Sequence, residues 1–443
     1  MPVSYLPYEP QQQRLLPDAL QDWLPEGHLA YFISDSVDSL DLSAFHARYA
    51  KGGPRNQPFH PAMMVKVLIY GYATGTFSSR KLAAKLHEDV ALRVLAAENY
   101  PAHRTLSDFR ALHLQELAAL FVQVVRLARE CGLVKLGTVA VDGTKLKANA
   151  SRHKAMSYDR MVKAEGELKA QIDGLLNRAR AADDLEKNEP DLDVPGEIKR
   201  REDRLKAITE AKLRLEQRQR EADAARGRSA DDERKPRDKD GKPKGGRYKR
   251  DFGVPKDSAQ ESFTDTDSRI MKRSGGGYDY GYGYNAHTAV DEAAQIVVAA
   301  ELGNNAADSD RLPVLLAAVK ANLGEDALQV LADAGFRSQA VFEQLKDSPS
   351  ELIVALGREG KQALDIDAEQ YPRTAAMDAR LKTPQGQAAY RKRKWIVEAP
   401  NGWIKSVLGF RQFSLRGLKK VQAEFKLVCL ALNLRRMSAL MAR

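Results

Sequence analysis

The stretch GTVAVDGTKLKANA, residues 137–150, decides how this chain is read. Val139 and Val141 lie in a short apolar run rich in β-branched side chains, which predicts a strand at about 137–147. Asp142 follows the run at once. Burying an unpaired carboxylate is costly, so an acid set against a strongly apolar strand needs a reason. In open α/β sheets ligands gather at the carboxyl ends of strands. The plainer reading of such an acid is a strand-ending cap or turn.

Working outward, ALQVLADAGF (327–336) repeats the pattern, with Asp333 after the strand and before Gly335. GYGYNAHTAVD and QIVVAAELG, separated by Asp291 and Glu292, read as a hairpin. DSDRLPVLLAAVKANLG and SQAVFEQLKD read as helices and ELIVALG as a further strand, with Asp308 and Asp310 as caps of the helix that follows them. Asp265 and Asp267 read as members of a polar turn. Before the first strand, residues up to about 130 are helical. Pro61 opens one helix, the serines at 78 and 79 cap a second, and a third starts at Thr105 and runs through to Glu130. A helix, a short turn and a cationic helix suit a helix-turn-helix; an all-helical dimerisation module has the same pattern.

Residues 152–226 are dense in Lys, Arg, Glu, Ala and Leu, and two prolines in NEPDLDVPGE divide them into helices at about 157–186 and 196–226. The irregular apolar spacing predicts a charged antiparallel hairpin rather than a zipper. Residues 226–250 carry few apolar side chains and read as a basic flexible linker. A third acid of interest lies in YRKRKWIVEAPNGWIK (390–405). On a helix, Lys394 precedes Glu398 by one turn and Lys405 follows two turns on, so cations flank that carboxylate. Trp395 and Trp403 beside it read as core packing.

The 443 residues carry a net charge of +10, and 13 Lys/Arg against two Glu fall within 391–443, so the excess is concentrated at one end. A polyanion, nucleic acid first, suits that balance. The two cysteines, Cys131 and Cys429, form neither a disulfide framework nor a zinc spacing. With no signal-peptide pattern at the start and no apolar run of about 18 residues, the expectation is a cytoplasmic, nucleoid-associated bacterial protein without a membrane partner.

Carboxylates without a His/Cys cluster suit phosphodiester chemistry. Two Mg²⁺ ions about 3.5–4 Å apart activate the attacking oxygen and stabilise the leaving one, and Mg²⁺ takes hard oxygen ligands. A strand with VAVDGTKLKA, a hairpin, a helix, a strand with LADAGF and a helix with Tyr-x-x-Arg-x-x-x-x-Glu and a lysine seven beyond together resemble the DDE transposases of bacterial insertion sequences. The resemblance covers roughly 55–145 and 263–436. GFRQFSLRGLKKVQAEFKLVCLALNLRRM, with Arg416, Gly417, Glu424 and Asn433, is similar to that group's tail.

The resemblance implies an α/β ribonuclease H-like catalytic domain, a mixed sheet flanked by helices, at 133–150 and 263–443. It implies an all-α DNA-binding domain at 1–132, with 151–262 as a charged helical insertion and basic linker. It implies Asp142, Asp333 and Glu398 as catalytic acids and ligands of Mg²⁺ or Mn²⁺, two ions per site. Tyr390, Arg393, Lys394, Lys405 and Arg416 are implied as DNA contacts. Some relatives space the arginine three residues from the glutamate; here Lys394 has that spacing and Arg393 has four residues between. The implied partners are double-stranded DNA (terminal inverted repeats and target) and a second copy of the chain on that DNA. The alternative is a catalytically silent DNA-binding protein derived from a transposase.

Overall fold

The computed structural model describes residues 19–49, 57–151, 153–184, 194–230, 250–272, 280–357 and 366–441. The first helices are α1 (Leu29–Asp38), α2 (Ser43–Ala47), α3 (Pro61–Ala73), α4 (Ser79–Glu88), α5 (Val90–Leu95), α6 (His103–Leu112) and α7 (Leu114–Glu130). α3 carries Pro61 in its first turn and is buried nearly all round, as a helix without a polar face must be. Ser78 stands at the start of α4 but makes no capping hydrogen bond. The long helix expected from Thr105 is two helices. α6 begins two residues earlier, at His103, and the chain bends by 72° before α7. His113 makes the break with φ −101° and ψ 28°. Its fully buried ring packs on Phe109 and Phe45 while Nε2 lies 3.1 Å from the Tyr49 hydroxyl. Burying that ring, rather than any lapse in apolar periodicity, ends the helix.

The 137–150 stretch forms β1 (Thr138–Lys147), as its pattern predicts. The insertion then builds β2 (Ala155–Ser157), α8 (Tyr158–Asp184), α9 (Val194–Ala224) and β3 (Gln260–Ser262). The two helices run antiparallel, with Lys212 on Glu165 at 2.7 Å and Arg201 on Gln171 at 3.2 Å. Met161, Leu168, Ile208, Ala211 and Leu215 form a small core of their own. The β2–β3 ladder closes its base, where the buried Glu261 accepts from Arg214 and Arg218. Most of the linker expected at 226–250 lies outside the described residues.

The chain continues through β4 (Arg269–Lys272), β5 (Tyr280–Asp291), β6 (Val297–Gly303), α10 (Leu312–Leu323), β7 (Gln329–Ala332), α11 (Gln339–Gln344), β8 (Glu351–Val354), α12 (Pro372–Lys382), α13 (Pro384–Gly402) and α14 (Leu418–Met441). The main sheet is mixed and runs β5-β1-β7-β8, with β4 and β6 both on β5. β5 is antiparallel to β1 and to β6; β7 and β8 are parallel to β1. One apolar core runs from Ala30 in α1 through the sheet to Met437 in α14. Phe425, Val428 and Leu432 of α14 are part of it. Among the described residues no single helix is long and apolar enough to cross a membrane.

α14 performs two further tasks. Asn433 exchanges hydrogen bonds with the backbone N–H and C=O of Val297 at 2.9 and 2.8 Å, and Gln422 bonds Leu302 N–H and Ala300 C=O at 2.6 and 2.8 Å. Two side-chain amides thereby satisfy backbone groups on the free side of β6 that would otherwise lack partners. Glu424, fully buried, accepts from the N–H groups of Ser414 and Leu415 at 3.0–3.1 Å and faces Tyr72 of α3. Tyr72 in turn accepts from the buried Arg110 of α6 at 3.0 Å. The expected polar turn at 265–267 is also buried around Asp265, which accepts from Tyr284 Oη at 2.7 Å and Gly417 N at 3.1 Å.

Removing one member of a buried charged network typically costs about 3–5 kcal/mol. Glu424→Ala is therefore expected to lower the urea-unfolding free energy by about 3 kcal/mol, and a loss below about 1 kcal/mol would show that the carboxylate does not join the helices.

Candidate active site

The register of the parallel pair β1–β7 sets Ala140 beside Leu331, so the acids two residues further along each strand, Asp142 and Asp333, arrive together at the sheet's centre. Asp142 is still in the strand. Asp333 has left β7 and caps the 3₁₀ turn Ala334–Phe336, its Oδ1 accepting from Gly335 N at 2.9 Å. Burial pushes the Asp142 carboxyl up to about 6, and the charge of Asp333 pushes the same way. Arg393, the Gly143 N–H and Asn401 oppose the rise.

α13 crosses this end of the sheet. Its buried Asn401 donates from Nδ2 to Asp142 Oδ2 at 3.0 Å, while Oδ1 accepts from Thr288 Oγ1 at 3.3 Å. Thr288 is the residue opposite Asp142 on β5, so one amide joins both strands to the helix. Arg393 approaches the same carboxylate from two turns upstream, its guanidinium 5.9 Å from the centre of the Tyr390 ring. Pro400 interrupts the donor ladder of α13, and the chain passes into a π turn, Trp403–Val407. Lys405 sits in that turn. Burial lowers its pKa, the attraction of Asp142 works against that, and Arg411 and Lys145 add to the lowering. Wide turns of this kind are common where a helix must present a side chain to a site.

The structure thus brings Asp142, Asp333, Arg393 and Lys405 to one place. Glu398 lies on α13 one turn before Asn401 and is exposed. Among the described residues no group of three or more carboxylate, histidine or cysteine side chains stands close enough to hold a metal ion. Lys394 is exposed on the same helix, and Arg416 is tied to the end of β1, donating to Asn149 O at 2.9 Å. Trp395, expected in the core, is 49% exposed, because the buried face of α13 runs through Ile396 and Val397. Trp403 is half-buried and carries the Arg436 guanidinium over its ring at 4.9 Å.

Asp308 corrects another expectation. The residue before α10 is Arg311, and no side chain caps the helix. Asp308 turns to the sheet instead: its Oδ1 accepts from Asn285 Nδ2 at 2.6 Å and from His287 Nε2 at 2.9 Å, with Lys145 Nζ 3.5 Å away. Burial alone would raise its carboxyl, but those hydrogen bonds and the Lys145 charge hold it down at about 2. Asn401, Thr288, Asn285 and His287 were not singled out from the sequence. The one available signal was polar residues two apart, Asn285 and His287, in an otherwise apolar strand.

Two family models match this chain. A "Transposase DDE domain" matches residues 258–434, spanning Asp333, Glu398 and most of the sheet. A "Transposase domain (DUF772)" matches residues 18–112, the first helices. No curated protein and no solved structure matches it.

Asp142 has an ordinary pKa of 3.8 and a folded value of about 6. Between those values the folded chain keeps a proton that the unfolded chain has released, so stability falls as pH rises through the window and the cost is complete above it. Asp142→Asn is therefore expected to stabilise the metal-free protein by about 3 kcal/mol at pH 7.5 and hardly at all at pH 3.5. Calorimetric melting at the two pH values checks this; equal shifts at both would show that the charge on Asp142 is not what strains the site.

Proposed function

The chain belongs to the DDE transposases of insertion sequences, and we propose that it cuts DNA at the ends of its own element and joins the freed ends to target DNA, with Asp142, Asp333 and Glu398 as its catalytic acids. The observation that carries this reading is the juxtaposition of Asp142 and Asp333 by strand register at the centre of a mixed sheet. The order β6-β5-β1-β7-β8, antiparallel in its first half and parallel in its second, supports a ribonuclease H-like sheet.

DDE transposases generally use divalent metal ions, and the residues here suit one. Asp142 and Asp333 offer only hard oxygen donors, and their mutual repulsion would be relieved by a cation between them. They would hold Mg²⁺ or Mn²⁺, joined by Glu398 from the same end of α13; two ions per site is the arrangement proposed. When bound, the metal activates the attacking oxygen and stabilises the leaving one. Asn401 holds Asp142 through a hydrogen bond to one of its carboxylate oxygens, Oδ2. Arg393 and Lys405 bring positive charge to the position of the reacting phosphate. Tyr390, Lys394 and Arg416 extend the contact along the strand.

The reaction has two stages. Water attacks the phosphodiester at each element end, releasing a 3′-hydroxyl and leaving a 5′-phosphate on the flanking DNA. Each 3′-hydroxyl then attacks a target phosphodiester, forming a new 3′–5′ bond as a target 3′-hydroxyl leaves. No covalent bond to the protein is needed. Arg80, Lys81, His103 and Arg104 on α4 and α6 are exposed and support residues 1–132 as the part that grips the duplex through phosphates. Two ends must meet in one complex, which favours a homodimer on DNA.

Asp142→Ala, Asp333→Ala and Glu398→Ala are each expected to abolish Mg²⁺-dependent nicking of a duplex carrying the element's inverted repeats, with binding to that duplex close to wild type. Undiminished nicking by any one of them removes that residue from the catalytic set. A wild-type chain that binds the repeats and never cuts them leaves the silent DNA-binding reading in its place.

A further inference from the structure

Side chains alternate across a strand, so Asp142 and Thr288, which meet Asn401, face α13, whereas Gly143 and its partner His287 face the other side of the sheet. Asp308 occupies that second side. A Cβ on Gly143 would lie 2.7 Å from Asp308 Oδ1 and 3.1 Å from His287 Cδ2. One on Gly335 would lie 2.9 Å from Asp308 Oδ2 and 3.0 Å from Asp333 Oδ1. Neither glycine has a positive φ, so neither is required by backbone conformation. Each leaves room for the same carboxylate. One of these glycines directly follows Asp142 and the other stands two residues after Asp333.

We propose that Asp308 is a positioning residue: wedged against Gly143 and Gly335 from beneath, it sets the spacing of Asp142 and Asp333 and thereby how tightly that pair binds a divalent cation. The inference rests on the reading of Asp142 and Asp333 as metal-holding acids. Asp308 is suited to the task because it is held from three sides. Asn285 and His287, both fully buried, reach it from the middle of β5, and Lys145 reaches it from β1. Asn285 also donates to Asn305 O at 3.2 Å, and Arg311 N donates to Asp308 O at 3.0 Å, so the loop that carries the wedge is itself pinned. Partners one layer out from a metal typically change its affinity 10–100-fold when removed.

The test is calorimetric titration of the full-length chain with Mn²⁺, in the absence of DNA. Asp308→Ala is expected to weaken Mn²⁺ binding about tenfold, and Asp308→Asn, which keeps the shape and an acceptor for Asn285 and His287, recovers most of it. A role confined to stability would lower the melting temperature and leave the affinity of the folded protein unchanged. Gly143→Ala presses on the same contact from the other side and is expected to weaken binding too; combined with Asp308→Ala it loses less than the two single losses multiplied, since its closest collision, with Asp308 Oδ1, is gone and only the contact with His287 Cδ2 remains. Wild-type affinity in Asp308→Ala, or losses that multiply in the double variant, overturns the proposal. If Asp308→Ala does not fold, Gly143→Ala decides, and wild-type affinity there overturns it equally. Asp142→Ala and Asp333→Ala separate the two levels. If they abolish binding while Asp308→Ala leaves it intact, only the positioning role fails. If they leave binding intact, the metal-holding reading fails and takes this proposal with it.

Discussion

Two carboxylates that repel each other are held side by side by the pairing of β1 with β7, and neither can withdraw without disturbing the sheet. Asp142 lies within the central strand, and Asp333 is bound to the turn that ends its neighbour. Burial and the neighbouring charge of Asp333 both disfavour the ionised Asp142, so the fold keeps a standing demand for positive charge at one point. Arg393 and Lys405 meet part of it from α13. In the function proposed above, what they leave unmet is available to a divalent cation and the DNA that accompanies it.

The helices before β1 belong to the same structural argument. Arg110, Tyr72 and Glu424 form a buried polar chain from α6 through α3 to α14, and α14 lies against the sheet that carries the acids. Helices fixed in this way keep a set relation to Asp142. The insertion differs, because α8 and α9 close over a small core of their own and join the rest at the β2–β3 ladder.

Much of this was legible in the residues, and what was not has a physical explanation. The strand that carries Asp142 and the one that ends at Asp333 were readable because an acid abutting an apolar run contradicts its surroundings. The hairpin β5–β6 and the helical pair α8–α9 were readable because each is local. Asn401 was not, since its role depends on a partner 259 positions earlier in the chain. Asp308 looked like a helix cap because an aspartate ahead of a helix has that pattern whichever way its side chain turns. The break at His113 was hidden because apolar periodicity continues through it, and Trp395 was misplaced because one step around a helix separates the core from solvent.

The amides of Gln422 and Asn433 have a consequence for assembly. A sheet grows by offering unsatisfied backbone groups to a neighbour, and along β6 those of Val297, Ala300 and Leu302 are already engaged by α14. This border is therefore sealed against strand exchange: a second copy, or a stray extended peptide, finds no ladder there to continue. In any association of two copies, this margin would take no part in a continuous sheet, and the sheet's other borders, the helices and the loops would be left to provide the join.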